Sequence, residues 1–112
     1  RQVGIIAAAG VVALESMIDR LAEDHANARK LAVGLSRIPG INCNPDDYPT
    51  NLVFCKVKSK KMGELQQRIE ERGVRFLALA GGWRLVPHYG ITSDDIDYSL
   101  DVIGSVFKEY GA

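Results

Sequence analysis

At 112 residues the chain is long enough for one hydrophobic core and too short for two. Hydrophobic side chains make up 46% and charged ones 25%, the balance of a folded globular domain and not of a disordered segment. Fourteen basic residues cancel fourteen acidic ones and no basic block stands out, which removes the electrostatic footprint of a nucleic-acid binder and any pull toward an anionic membrane.

Arg1-Gln2 leads straight into an apolar run over residues 3–14. The run is shorter than the roughly 20 residues a membrane helix needs. No secretory leader precedes it and no initiator methionine is present, so the chain is expected to start within a longer, cytoplasmic protein. A helix over residues 2–17 has small or apolar side chains on every side, the pattern of a helix enclosed all round. A small domain covers one face of such a helix, so it is predicted to pack on protein outside this sequence. That protein is another copy of the chain or the rest of a longer one.

The next helix is expected over residues 19–38. Leu21, His25, Ala28, Ala32 and Leu35 form its apolar stripe, while Asp24, Asn27, Arg29 and Lys30 lie off it and face water. His25 on that stripe predicts a packed histidine with locally bonded nitrogens, not a catalytic one. Pro39-Gly40 stops the helix. Residues 41–43 form a short strand candidate and residues 44–49 a polar loop. The clearest strand spans residues 51–57, with Val53, Cys55 and Val57 on one face and Leu52, Phe54 and Lys56 on the other. Ser59 is a candidate cap for a helix over 61–72 with Met62, Leu65 and Ile69 inward. Gly73 then fits a left-handed closing residue.

Strands over 74–77 and 83–87, joined by a glycine-containing turn, predict an antiparallel pair. In the second, Trp83, Leu85 and Pro87 alternate with Arg84, Val86 and His88. The last helix starts after Ile91. Thr92 and Asp95 occupy capping-box positions, and Ile96, Leu100, Ile103, Phe107 and Tyr110 repeat at helical spacing. The fold class is therefore α+β, one domain over residues 1–112: a small, mostly antiparallel sheet with helices on one face.

No residue offers convincing catalysis. Asp46-Asp47 sits in a turn, and Asp94, Asp95 and Asp97 open a helix, where negative charge is favoured anyway. The serines fit no nucleophile elbow. Lys56, Lys58, Lys60 and Lys61 crowd one polar stretch, and Lys30 and Lys108 fall off the apolar stripes. A Schiff-base lysine is usually desolvated or set beside another cation, and none of these looks desolvated. Cys43 and Cys55 are the only cysteines. A disulfide between them is geometrically possible, but two small buried hydrophobes in a reducing compartment is the plainer reading. His25 and His88 stand apart from them, so no zinc site is legible.

Binding remains. Arg84 keeps its charge, so where it is shielded from water it needs an anion beside it. That anion is one of the chain's own carboxylates or something the protein is built to hold. Gly81-Gly82 is a weak candidate for an anion nest, and Arg1 could reach an anion at a subunit boundary.

Four blocks carry a resemblance: Arg1 to Gly10 (RQVGIIAAAG), Leu21 to Ala28 (LAEDHANA), Thr50 to Phe54 (TNLVF) and Arg84 to His88 (RLVPH). In order and spacing they resemble the C-terminal part of threonine aldolases, in the aromatic amino acid beta-eliminating lyase/threonine aldolase family of pyridoxal phosphate enzymes. The resemblance implies a fold type I enzyme cleaving beta-hydroxy amino acids, such as threonine to glycine and acetaldehyde. It implies that Arg84 binds the substrate carboxylate and that Arg1 reaches the cofactor phosphate, usually in the neighbouring subunit of a homo-oligomer. The Schiff-base lysine is implied to precede this region, so pyridoxal 5'-phosphate belongs to the full-length parent. Pro87, Tyr89 and Gly90 stand where the family commonly has threonine, leucine and aspartate, so substrate preference is not carried over. His88 is given no chemical role. Two other readings stay open: a non-enzymatic, self-associating α+β module, and another pyridoxal phosphate lyase acting on aromatic amino acids.

Overall fold

The computed structural model describes residues 1–47 and 50–111, so part of the expected polar loop, residues 48 and 49, lies outside the described residues. Helix α1 (Val3–Ser16) is followed by α2 (Leu21–Ser36), β1 (Ile41–Asn42), β2 (Val53–Val57) and α3 (Met62–Glu71). The hairpin β3 (Leu77–Leu79) and β4 (Gly82–Leu85) comes next, then α4 (Ser93–Tyr110). The strands form one sheet in the order β1-β2-β4-β3, and every neighbouring pair is antiparallel. This is the expected α+β architecture.

The core lies between one sheet face and α2, α3 and α4. Val53, Cys55 and Val57 of β2 and Trp83 and Leu85 of β4 meet Leu31 and Leu35 of α2, Leu65 and Ile69 of α3, and Ile103, Val106 and Phe107 of α4. Trp83 sits at its centre, tilted against Phe76 at 4.7 Å and edge-on to Phe107 at 5.8 Å between ring centroids. Aromatic contacts of this kind add directionality to area burial, so they help to select one packing. The α4 start is the capping box that the sequence predicts. The Asp95 amide donates to Thr92 Oγ1 (3.2 Å), and the Thr92 amide donates to Asp95 Oδ2 (2.8 Å).

Three expectations are corrected. On α2 the buried face holds Asp24, Asn27, Ala28, Leu31, Ala32 and Leu35, while Leu21 and His25 are exposed. The stripe is turned by about one residue because its polar members find partners. Arg20 grips Asp24 with both terminal nitrogens (2.7 and 3.1 Å), and Asn27 Nδ2 donates to the Ile91 carbonyl (3.2 Å). A paired polar group can be buried where an unpaired one would not be. The strand expected at 74–77 starts only at Leu77. After Gly73, at φ +88°, residues 74–76 serve the core instead: Val74 is buried and Phe76 turns in onto Trp83. Ser59 does not cap α3; its hydroxyl accepts from the Lys61 amide (3.0 Å) one turn ahead of the helix.

Helix α1 contributes nothing to this core. None of its residues is buried, and Val3, Ile5, Ile6 and Leu14 are each at least 70% exposed. Among the described residues, no helix is long and apolar enough to cross a membrane.

Candidate functional site

A pleated strand sends alternate side chains to opposite faces, so the core on one sheet face defines the other. Arg84 lies directly across from Phe54 on β2 and from Leu77 on β3, and Leu79 and Lys56 share that face. The helices do not cover it. Leu77 and Leu79 are exposed, and Phe54 and Arg84 are half-buried. The hairpin geometry that presents Arg84 depends on its two glycines. Gly81 takes φ +80° in the tight turn. Gly82 passes so close to β2 that a Cβ there would run into the Cys55 carbonyl oxygen. The glycine pair is thus committed to the turn and to strand packing.

The charge pattern singles out one residue. Arg20 pairs with Asp24, Arg29 with Asp46, Arg68 with Glu64 and Arg72 with Glu109. Arg1, Arg37 and Arg75 are exposed. Among the described residues, Arg84 alone is an arginine that is partly buried and has no carboxylate within ion-pair distance. Its Nε is buried with no hydrogen-bond partner among the described residues. The sequence left open whether an internal carboxylate answers this charge; among the described residues none does. An uncompensated cation flanked by Phe54 and Leu77 is a place where a carboxylate or phosphate would gain a charge-assisted, forked contact.

The paired arginines behave differently. Hydrogen bonding to Asp24 raises the Arg20 pKa, and the same guanidinium lies 5.1 Å over the Tyr89 ring, so Arg20 is already occupied. The Arg72 hydrogen bond holds the Glu109 carboxyl below its usual range. The first pair closes the start of α2 and the second ties α3's end to α4, and in both the guanidinium charge is answered by a carboxylate of the chain.

Arg1, the second expected site residue, is exposed ahead of α1 and makes no hydrogen bond or ion pair among the described residues. Nothing described bridges it to Arg84, so the two expected site residues are not assembled into one pocket by this chain. His88 is exposed, with Nδ1 2.8 Å from the Tyr89 carbonyl oxygen. Lys56, Lys58, Lys60, Lys61 and Lys108 are exposed, and Lys30 is held by Asp97 at 2.7 Å, so no described lysine is desolvated. Among the described residues no group of three or more His, Cys, Asp or Glu could hold a metal. A cleft of roughly 460 Å³ at the hairpin end is lined by Asn42, Asn44, Asp47, Phe54, Lys56 and Gly82 among others, and Arg84 is not part of its wall. Toward a phosphorylated aldehyde cofactor, what the described residues offer is the guanidinium of Arg84 for an anion contact.

Sequence reasoning missed the neighbours that frame Arg84. The signal was present, because Leu52 and Phe54 put apolar side chains on the face of β2 that points away from its core. Asn51 was missed as well. Its Nδ2 donates to the Pro87 carbonyl (3.0 Å), tying the approach to β2 to the exit of β4 just beyond Arg84.

The profile of the beta-eliminating lyase family matches residues 1–58, more than half of the chain, and the chain belongs to that family. Within it the similarity is to threonine aldolases. Low-specificity L-threonine aldolase 1 of Arabidopsis thaliana is 35% identical over 104 residues, covering 89% of this chain and 29% of the relative. The probable low-specificity L-threonine aldolase 2 of the same plant is 33% identical over 111 residues, 96% of this chain and 31% of the relative. The low specificity L-threonine aldolase of Escherichia coli K12 is 35% identical over 96 residues, 86% of this chain and 28% of the relative. The chain thus spans less than a third of the length of these relatives.

Proposed function

We propose that this chain is the C-terminal, substrate-carboxylate-binding part of a threonine-aldolase-like lyase that cleaves beta-hydroxy amino acids to glycine and an aldehyde. The single observation that carries the reading is Arg84, a partly buried cation that meets no carboxylate among the described residues, on a sheet face the helices leave uncovered. In this reading pyridoxal 5'-phosphate, held covalently by protein preceding residue 1, supplies the electron sink for carbon–carbon bond cleavage. Arg84 binds the substrate carboxylate through its forked donors and fixes the amino acid's orientation, a positioning role. Phe54 and Leu77 narrow the water's access to that contact, which strengthens it. Arg1 donates to the cofactor phosphate across a subunit boundary. Helix α1, apolar on all sides and wholly exposed here, packs on the preceding part of the parent chain or on a second subunit of a homo-oligomer. A cytoplasmic setting goes with this reading.

The test is Arg84→Ala in the full-length parent, read as steady-state kinetics with threonine. KM is expected to rise at least tenfold, since one charge-assisted contact contributes about 1.5–3 kcal/mol. Saturation by threonine at an unchanged concentration refutes the assignment. The exposure of α1 also favours a second reading, a non-enzymatic module that self-associates through that helix. A stable dimer of this chain, with a size and a melting point that pyridoxal phosphate and glycine leave unaltered, would favour the module.

A further inference from the structure

The two cysteines lie one step beyond the last pair of the β1–β2 ladder. The register pairs Ile41 with Val57 and Asn42 with Lys56, and its next step sets Cys43 opposite Cys55. The hydrogen bonds fix which kind of pair this is. The Lys58 amide donates toward β1, to the Gly40 carbonyl (2.9 Å), whereas the Val57 amide donates the other way, to the Gly81 carbonyl (3.3 Å). Continued by one step, that alternation gives Cys43–Cys55 the place of a non-hydrogen-bonded pair, where Cα atoms of a ladder approach to about 4.5 Å and side chains are closest. That separation lies within the roughly 4.4–6.8 Å that a disulfide spans. Both side chains point to the same buried face, and the Cys43 thiol reaches the Phe54 carbonyl oxygen at 3.6 Å, which holds it over β2.

We propose that Cys43 and Cys55 are a reversible oxidation site, forming a cross-strand disulfide that clasps the edge strand β1 and the loop after it to β2. The co-reactant is a low-molecular-weight disulfide such as oxidised glutathione. One thiolate attacks it, forming a mixed disulfide and releasing one molecule of glutathione thiol. The second cysteine then displaces the other, so that one sulfur–sulfur bond is exchanged for another and two protein protons pass to the two released thiols. Access comes from fraying of β1, a two-residue edge strand. Burial raises the pKa of both thiols, Cys55 to about 12, so the closed strand pair holds little thiolate and oxidation proceeds through the frayed state. Asn44 and Asp47, which line the cleft at the hairpin end, lie in the loop so clasped.

The test uses this chain incubated with oxidised glutathione under native conditions, then alkylated and weighed. Expected are the loss of both alkylatable thiols, a mass lower by two hydrogens, and a melting midpoint raised by roughly 5–10 °C, reversed by dithiothreitol. Cys43→Ser, and separately Cys55→Ser, should lose the intramolecular bond and yield only a mixed disulfide or a free thiol. The wild-type result decides the matter if either variant fails to fold. Retention of two free thiols, a bond that forms only between chains, or one that forms only in denaturant overturns the proposal.

Discussion

Arg84→Met removes a donor that no described residue answers, so it is expected to make the isolated chain more stable. A buried donor without a partner costs about 1–3 kcal/mol, and methionine reaches as far as the Nε position without a polar atom there. Nε is fully buried but the residue as a whole is half-buried, so the gain belongs at the low end, about 1 kcal/mol. Phe54 and Leu77, directly opposite on the two neighbouring strands, give the thioether apolar contacts. A gain of that size raises the melting midpoint by about 4 °C in a domain of this length. The assay is urea unfolding followed by fluorescence of Trp83, the single tryptophan, 1% exposed between Phe76 and Phe107. The midpoint should move up with an unchanged slope. A variant less stable than wild type by more than about 0.5 kcal/mol would mean that the charge has a favourable partner inside this fold, and the reasoning behind the site would fail.

Gly82→Ala should destabilise the chain by about 2–3 kcal/mol in the same titration, because the new methyl meets the Cys55 backbone and the Lys56 Cα of the central β2 strand, neither of which can yield without breaking the sheet. A change under about 0.5 kcal/mol would contradict that close approach. Acid melts probe the α4 cap. Hydrogen bonds from the Thr92 backbone and side chain depress the Asp95 pKa, so its contribution is present above the unfolded value of about 3.9 and is lost as pH falls through the lower folded value. Asp95→Asn should flatten part of that acid limb, and an identical pH profile would remove the assignment. Deleting residues 1–16 should change the unfolding free energy by less than about 0.5 kcal/mol, since no α1 residue is buried, while any self-association measured by sedimentation should fall. A large loss of stability would show that α1 belongs to this core.

The sequence by itself determined the helix and strand types, the α4 capping box, the inward face of β2 and the antiparallel hairpin, since each follows from local periodicity and turn chemistry. It also determined the family, through blocks that keep their order and spacing. Only the tertiary structure decided which polar groups could be buried. Asp24 and Asn27 went inside because Arg20 and the Ile91 carbonyl were there to meet them, and His25 was turned out. It likewise decided where β3 begins, since Phe76 is drawn to Trp83 by a contact that no local pattern contains. Whether Arg84 had an internal carboxylate was beyond the sequence for the same reason. Strand alternation gives the face on which a charge sits, but its neutralisation depends on what the other elements bring within reach.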